Sequence, residues 1–185
     1  MGKLKQLLPL ADKIAVHHCI DTISAAGIED ITVVIGPEHE DIRRAVAGFP
    51  VRLAVNTEPG SEMAESVRTG LSAVAADCRG LLICLSDHPL VSADTIRMIV
   101  GAHVRKPDRI VIPSYHRRRG HPCLFPIDAA GKVFSGMNLR QIIAANPSLI
   151  EYVGVDDEGV VLDMDTEEDY RVMQERFQRI LPGRQ

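Results

Sequence analysis

Aspartates that directly follow predicted strands are the residues of this chain best placed for metal or phosphate chemistry. Asp87 follows the apolar run 81–85 and precedes a turn that Pro89 stiffens. A carboxylate in that position could hold Mg²⁺, which takes one or two protein carboxylates together with waters and phosphates. The alternative is that Asp87 only caps a helix or bonds the turn backbone. Position alone favours neither interpretation.

A pair of aspartates, Asp163 and Asp165, follows the predicted strand 160–162. Alternation along an extended chain puts both carboxylates on one side and the residue between them on the other. Two such carboxylates repel unless a cation lies between them, so the pair is a second candidate for metal binding. The alternative for Asp165 is a residue that simply precedes the last helix, where Thr166 and Asp169 fit a variant of the capping box.

Basic residues cluster in the segment 116–122, which reads His-Arg-Arg-Arg-Gly-His-Pro. Cations beside a carboxylate cluster can hold a triphosphate or another anionic substrate. A charge run is more often a solvated loop, and that alternative is favoured for the first two arginines. Gly120, His121 and Pro122 form a more constrained turn, and we expect them to have a positional role.

The elements that must position these residues alternate between apolar strands and amphipathic helices. Strands are predicted at 31–35, 51–55, 81–85, 110–112, 150–155 and 160–162. Helices are predicted around 16–23, 40–47, 67–75, 92–103, 139–145 and 170–180. Pro113 is expected to stop its strand, and 114–126 to form a loop or short hairpin. This alternation predicts a parallel sheet covered on both faces, in one three-layer domain spanning 1–185. Ligands bind such sheets beyond the carboxyl ends of the strands.

Composition restricts the classes of function. A net charge of −4 provides no basic surface for nucleic acid. No apolar run approaches the roughly 20 residues that cross a bilayer, and the patch 7–10 is too brief for a signal peptide. We therefore expect a cytoplasmic protein without a membrane partner. None of the four cysteines lies in a C-x-x-C pair, so they are expected to be reduced and structural.

Five stretches of the sequence together resemble the MobA-like nucleotidyltransferases, and most closely the molybdenum cofactor cytidylyltransferase branch. They occur in the expected order and cover essentially the whole chain. They are Gly2-x-x-Lys5-Gln6-Leu7-Leu8-Pro9-Leu10, Asn56 with Glu62-Met63-Ala64-Glu65-Ser66-Val67-Arg68-Thr69-Gly70, Ser86-Asp87-His88-Pro89-Leu90-Val91, Arg119-Gly120-His121-Pro122-Cys123-Leu124-Phe125, and Leu162-Asp163-Met164-Asp165-Thr166-Glu167-Glu168-Asp169.

The resemblance implies a three-layer α/β/α Rossmann-like fold with a mostly parallel sheet, and it gives roles to individual residues. Without it, Lys5 would be read as a surface charge. The implied residues are, for catalysis, Lys5 and Asp87; for nucleotide binding, Gly2, Lys5, Asn56, Ser66 and Asp87; for the acceptor, Gly120, His121 and Pro122; and for metal, Asp87, Asp163 and Asp165.

The implied reaction is attack by a phosphate oxygen of the acceptor on the α-phosphate of a nucleoside triphosphate, with Mg²⁺ bound and pyrophosphate released. CTP is the favoured nucleotide, and a molybdopterin-type cofactor is the favoured acceptor. Another base or another phosphorylated small molecule stays open. A molybdoenzyme or accessory protein is the protein partner that the resemblance suggests.

The sequence departs from the family at its start. Members begin with a strand and a loop of the form Leu-x-Ala-Gly-Gly-x-Ser-x-Arg-Met-Gly, whereas this chain starts at the last two residues, Met1-Gly2. That strand is central in the family's sheet and its loop cradles the phosphates, so its absence implies unpaired edges and weaker nucleotide binding. One explanation, favoured because the other charged residues are kept, is a longer natural chain that was started at an internal methionine.

The other explanation is a short chain that has lost or changed its activity. A non-catalytic domain that binds a nucleotide or a protein partner is therefore the alternative to the enzyme. A smaller departure is His88, where the cytidylyltransferases usually carry Gln.

Overall fold

The computed structural model describes residues 4–36, 39–58, 60 and 62–180. The strands in these ranges are β1 (Pro9–Leu10), β2 (Lys13–Ile14), β3 (Thr32–Ile35), β4 (Arg52–Val55), β5 (Gly80–Ile83), β6 (Ile110–Tyr115), β7 (Arg118–Arg119), β8 (Cys123–Pro126) and β9 (Ile150–Gly154). The α-helices are α1 (Ala15–Ala25), α2 (Glu40–Val46), α3 (Met63–Leu71), α4 (Ala93–Arg105), α5 (Ile127–Ala130), α6 (Leu139–Ala145) and α7 (Glu167–Ile180). Short 3₁₀ helices lie at Lys5–Leu7, Gly131–Ser135, Pro147–Leu149 and Glu158–Val161.

Helices cover both faces of the strands. Side chains of α1 and α2 pack with Ile35 of β3, and side chains of α4 pack with Val111 and Leu124. On the opposite face, α3, α5 and α6 pack against Ile112 and Phe125. Successive residues of a strand point to opposite faces, so apolar residues at consecutive positions are buried on both sides. The predicted three-layer α/β/α Rossmann-like fold is confirmed.

The larger sheet is mixed rather than uniformly parallel. β8 runs antiparallel to both β5 and β6, and β9 runs parallel to β6. The predicted end of a strand at Pro113 is wrong, because β6 continues through that residue to Tyr115 and pairs with β9 beyond it. The segment predicted as a loop or short hairpin does contain the short hairpin of β6 and β7, but it also supplies β8, a buried interior strand.

The sheet is interrupted between β3 and β5. In the described part of the chain, β3 pairs with β4 alone and β5 pairs with β8 alone. Helix α1 packs against both strands on one face, since its Ile20 contacts the β3 cluster and its Ile23 the Leu82 cluster. Helix α3 lies near both strands on the other face, through Gly70 beside Val34 and through the cluster it shares with β5. In the described ranges β3 and β5 therefore each have one unpaired edge, and α1 and α3 cover the two faces of this gap in the sheet.

The edge position of β5 changes how deeply it is buried. This strand overlaps the apolar run 81–85, yet all four of its residues are only half-buried. The fully buried strand is β6, where Ile110, Val111 and Ile112 are at most 2% exposed. A strand that lacks one neighbour leaves one edge accessible, which accounts for the difference. At β3, the buried hydroxyl Oγ1 of Thr32 has no hydrogen-bond partner in the described ranges.

The C-terminal segment returns to the N-terminal hairpin. Helix α7 packs its Met173 and Phe177 against Leu10, and the hydroxyl of Tyr170 donates to the carbonyl of Pro9 at 2.6 Å. The expected capping contacts are present, since the backbone N–H of Asp169 donates to Oγ1 of Thr166. No helix within the described ranges is long and apolar enough to cross a membrane.

Candidate active site

The ammonium of Lys5 bridges two carboxylates that lie far from it in the sequence. Its Nζ is 2.6 Å from Oδ2 of Asp87 and 2.6 Å from Oδ1 of Asp165. Lys5 stands at the start of a one-turn 3₁₀ helix that is anchored because the neighbouring Leu4 and Leu7 pack into the α1–β3 core. Asp87 follows the end of β5, and Asp165 follows the fully buried Met164. Packing of the neighbouring apolar residues thus brings these three charged groups together.

The electrostatics of this group favour a bound cation. Burial by itself lowers the pKa of Lys5, but its hydrogen bonds and charge interactions with Asp165 and Asp87 outweigh burial and raise the pKa above its ordinary value. Lys5 is therefore fully charged at neutral pH. Two carboxylates and one ammonium leave a formal charge of about −1 at this point, so a further cation or a metal-bound phosphate would be attracted.

The second oxygen of Asp87 is unused. The side chain of Asp87 is only 19% exposed, and its Oδ1 is buried with no hydrogen-bond partner in the described ranges. A buried carboxylate oxygen without a partner is costly, and such atoms commonly mark a missing ligand or ion. Carboxylate oxygens are the ligands that hard divalent cations prefer.

Two histidines border Asp87. His88, whose side chain is 8% exposed, lies with Nε2 3.9 Å from Oδ1 of Asp87. Its ring centroid is 5.3 Å from that of His121. Burial first, and then the proximity of His88, lower the pKa of His121, while the charges of Asp87 and Asp163 act in the opposite direction. His121 is therefore expected to be neutral at pH 7, able both to donate and to accept a hydrogen bond.

The turn that carries His121 is held by a close backbone contact. The backbone N–H of His121 donates to the carbonyl of Val160 at 2.8 Å. A Cβ added at Gly120 would lie 2.4 Å from that same carbonyl oxygen, so only glycine fits there. Pro122 follows directly and lines a small cavity with His88. The structure thus brings the predicted acceptor residues near Asp87. It also gives a steric reason for glycine at position 120.

Asp163 and Asp165 have different neighbours in the structure. The segment 160–162 is not a strand, because Glu158–Val161 forms a 3₁₀ helix. Leu162 is extended, and beyond it Asp163 and Asp165 are exposed while Met164 between them is buried. Asp165 contacts Lys5, whereas Asp163 acts electrostatically on His121. The two carboxylates therefore interact with different residues.

Asn56 and Ser66 form a second polar group at the carboxyl end of β4. The buried side chain of Asn56 donates from Nδ2 to Oγ of Ser66 at 3.2 Å, and its Oδ1 accepts from the backbone N–H of Glu58. Ser66 lies in the first turns of α3. The structure therefore brings together the two residues implied for base and ribose contacts. Gly2, the remaining residue of the predicted nucleotide set, lies outside the described residues.

Gly159 is a site residue that the sequence did not single out. Its carbonyl lies 3.4 Å from Nδ1 of His88, and a Cβ added there would lie 2.5 Å from the backbone of Leu90. Its N–H donates to Oδ1 of Asp157 at 2.9 Å. An Asp two residues before a Gly is a turn signal that could have located the bend, although not its contact with His88.

Cysteine chemistry plays no part in the site. Cys19 lies near it, with Sγ 3.8 Å from the carbonyl of Ser86, but burial raises the pKa of its thiol to about 12. Burial likewise raises the pKa of Cys123 to about 12. A thiol in this state is a poor nucleophile and metal ligand at neutral pH. The cysteines are free, as predicted.

The fold and this site together indicate a class of enzyme. An open α/β sheet binds ligands at the carboxyl ends of its strands, and here that edge presents a lysine, carboxylates and an unsatisfied oxygen. Positioning and charge neutralisation are what phosphoryl and nucleotidyl transfer need from a protein. The sequence comparison narrows the class further: the chain belongs to the MobA-like NTP transferase domain family, which it matches over residues 1–146. It is an enzyme of the nucleotidyltransferase class.

Two proteins that are similar in sequence to this chain have different names. The chain is 28% identical to nicotine blue oxidoreductase of Paenarthrobacter nicotinovorans, over 91% of this chain and 87% of that protein. It is 35% identical to the bifunctional protein GlmU of Symbiobacterium thermophilum over 55% of this chain, and the match spans only 21% of GlmU. These names therefore do not indicate one substrate for this chain.

Among solved structures, Rv0371c of Mycobacterium tuberculosis H37Rv superposes with a TM-score of 0.79 at 26% identity, covering 95% of this chain and 90% of that one. A second structure of Rv0371c contains manganese and superposes with a TM-score of 0.75 at 25% identity, covering 94% and 93% of the two chains. A divalent metal is consistent with the residues here, because Oδ1 of Asp87 is buried and unsatisfied.

Proposed function

We propose that this protein is a Mg²⁺-dependent nucleotidyltransferase that transfers a nucleoside monophosphate, from CTP in preference to other triphosphates, to a molybdopterin-type acceptor. The observation that carries the proposal is the contact of Lys5 with Asp87 and Asp165 at 2.6 Å, beside an unused oxygen of Asp87. The accompanying proposals are a single domain over 1–185, a cytoplasmic location, and a molybdoenzyme or accessory protein as partner.

In the proposed reaction, a phosphate oxygen of the acceptor forms a bond to the α-phosphorus of the nucleotide. The bond from that phosphorus to the bridging oxygen breaks, and pyrophosphate leaves with the electron pair. A divalent ion bound at this site would neutralise charge on the phosphates. Lys5 would move from its carboxylate partners to the phosphates and stabilise the charge that develops in the transition state.

The other residues would position the two substrates. Asn56 and Ser66 would contact the base and ribose, and Asp87 with Asp165 would supply metal ligands, with Asp163 as a further contact. The turn at Gly120, His121 and Pro122 would face the acceptor, where a neutral imidazole can accept or donate a hydrogen bond. Glycine at 120 keeps His121 in place, because Val160 lies against it.

The gap between β3 and β5 favours a second candidate, a domain that binds a nucleotide or protein partner without catalysis. A Gly-rich loop that follows a strand in that gap would supply backbone N–H groups to the phosphates. Without it, binding would be weaker and the α-phosphate less well oriented.

The two candidates are separated by measuring nucleotide binding and pyrophosphate release with CTP, GTP, ATP and UTP, with Mg²⁺ and a molybdopterin-type acceptor. The chain as printed is compared with one extended at its N-terminus by an apolar strand and a Gly-rich loop. We expect turnover with CTP in the extended chain. Binding without turnover in both chains would support the second candidate. Neither binding nor turnover in either chain would contradict both.

A further inference from the structure

His88 lies beside the proposed metal-binding carboxylate, buried, with a fixed ring. Its Nδ1 is 3.4 Å from the carbonyl oxygen of Gly159, and its Nε2 is 3.9 Å from Oδ1 of Asp87. The ring therefore spans two elements: the turn after β5 that carries His88 and Asp87, and the 3₁₀ helix that carries Gly159.

The two contacts decide which ring nitrogen has a free lone pair. A carbonyl oxygen can only accept a hydrogen bond, so Nδ1 must carry the proton in the contact with Gly159. In a neutral imidazole Nε2 is then unprotonated. Its lone pair lies on the side of Oδ1 of Asp87, an oxygen that is itself buried without a hydrogen-bond partner in the described ranges. In this neutral tautomer, Nε2 of His88 and Oδ1 of Asp87 both present lone pairs at a separation of 3.9 Å.

The carbonyl that fixes the ring has little freedom to move. The added Cβ at Gly159 would meet both the carbonyl carbon and the oxygen of Leu90, at 2.5 and 2.6 Å, and Asp157 holds the N–H of Gly159 at 2.9 Å. A backbone carbonyl that accepts from one ring nitrogen commonly orients the other nitrogen toward a metal. The surroundings of His88 have this form.

We propose that Nε2 of His88 is a nitrogen ligand of the divalent ion that Asp87 binds, and that it shifts the site from Mg²⁺ toward Mn²⁺ and related first-row ions. This inference rests on the proposed function. Adjacent ligands of an octahedral ion with bonds of about 2.1 Å lie about 3 Å apart. The present separation of 3.9 Å between Nε2 of His88 and Oδ1 of Asp87 exceeds this value by less than about 1 Å.

The shift in preference follows from ligand chemistry. Mg²⁺ binds oxygen ligands and keeps several waters, whereas imidazole nitrogen binds first-row transition ions more readily. A Gln at this position would offer an amide oxygen instead. The substitution His88→Gln is therefore expected to lower the preference of the site for transition ions.

The test is pulsed electron paramagnetic resonance of Mn²⁺ added to the full chain, with and without ¹⁵N-labelled histidine. We expect a nitrogen coupling that changes with the label, is lost in His88→Gln, and remains in His121→Asn and in the exposed control His116→Gln. Competition between Mn²⁺ and Mg²⁺ should show that His88→Gln lowers the preference for Mn²⁺ about tenfold.

The outcomes separate this inference from the proposed function. Bound Mn²⁺ without a histidine coupling in the unmutated chain, or a coupling that persists in His88→Gln, would overturn the role of His88 while leaving Asp87 as the metal ligand. Mn²⁺ that fails to bind, or that binds equally to Asp87→Asn, would overturn both. The measurement on the unmutated chain decides the matter even if His88→Gln does not fold.

Discussion

Nζ of Lys5 lies 2.6 Å from a carboxylate oxygen of Asp87, 82 positions further along the chain. The same ammonium reaches Asp165, 160 positions away. Three segments distant in sequence thus meet at the carboxyl edge of the sheet. Because the group is partly buried, its charges interact more strongly than they would in water. In the proposed reaction, phosphates replace these carboxylates as the partners of the lysine.

Replacement of Lys5 by Met is predicted to weaken nucleotide binding. A charged hydrogen bond contributes about 1.5–3 kcal/mol, so the dissociation constant for CTP should rise about ten- to a hundredfold. Titration calorimetry checks this. The matched control is Lys106→Met, since Lys106 pairs with Glu151 on the surface. Equal affinities for the unmutated chain and Lys5→Met would mean that Lys5 does not contact phosphates.

Replacement of Gly120 by Ala is predicted to destabilise the acceptor turn. The new methyl group would lie 2.4 Å from the carbonyl oxygen of Val160, and accommodating it should lower the free energy of unfolding by about 1–3 kcal/mol. Denaturant unfolding measures the change. The control is Gly154→Ala, where a Cβ meets nothing within 4 Å and the change should stay within about 0.5 kcal/mol. Equal effects at both positions would contradict the proposed packing.

Filling the gap between β3 and β5 is predicted to stabilise the protein. Adding an apolar strand at the N-terminus, long enough to lie between the two four-residue edges, should pair their free backbone groups. We expect a higher melting temperature and slower hydrogen exchange at the amides of β3 and β5. An extension of equal length with proline at alternate positions is the control, because proline cannot donate to a ladder. Equal exchange rates with both extensions would show that neither strand edge is paired.

Acidification is predicted to destabilise the fold through His103. Burial lowers the pKa of this histidine, with the backbone of Arg109 acting in the opposite direction, and both ring nitrogens are buried without partners in the described ranges. The unfolded chain therefore binds the proton more readily, and stability is lost as pH falls below about 6.5. Thermal unfolding between about pH 7.5 and about pH 5.5 should show a smaller loss in His103→Leu.

His121, whose pKa is also lowered, should leave part of the pH dependence in that variant. Exposed His116 provides the control, and His116→Gln should behave as the unmutated chain does. A pH dependence that is the same in all three proteins would rule out His103 as its source.

Local signals in the sequence predicted the fold well wherever a residue acts on its near neighbours. Ser92 stands at the start of the predicted helix 92–103, and its hydroxyl accepts from the backbone N–H of Thr95. The contacts between Thr166 and Asp169 were likewise predicted. These depend on spacings of three residues and need no tertiary information.

The secondary-structure predictions were wrong where contacts between residues distant in sequence determine the conformation. Pro113 should end a strand by its own chemistry, but β9 pairs with β6 on both sides of it. The basic residues before β8 favoured a loop or short hairpin over 114–126. The strand β8 is stabilised by pairing with β5 and β6 on its two sides. The apolar residues near Val160 suggested a strand, whereas the close approach of Gly159 to Leu90 accompanies a tight 3₁₀ turn.

The candidate site could be assembled from the sequence only through the resemblance. Spacing alone does not bring Lys5 to Asp87, and it suggested that Asp163 and Asp165 act together. The structure adds their individual neighbours: Asp165 contacts Lys5, and Asp163 acts electrostatically on His121. It also adds Gly159, whose contact with His88 depends on a fold that the pattern of apolar residues does not specify.

Asp87 is proposed to bind the metal required for nucleotidyl transfer, and the most direct test of this role is pyrophosphate release from CTP in Asp87→Asn. The assay uses the chain extended by a strand and Gly-rich loop, and exposed Asp77→Asn is the control. We predict that the rate falls by at least about a hundredfold in Asp87→Asn and is unchanged in the control, with the melting temperature preserved in both. An undiminished rate in Asp87→Asn would contradict the assignment.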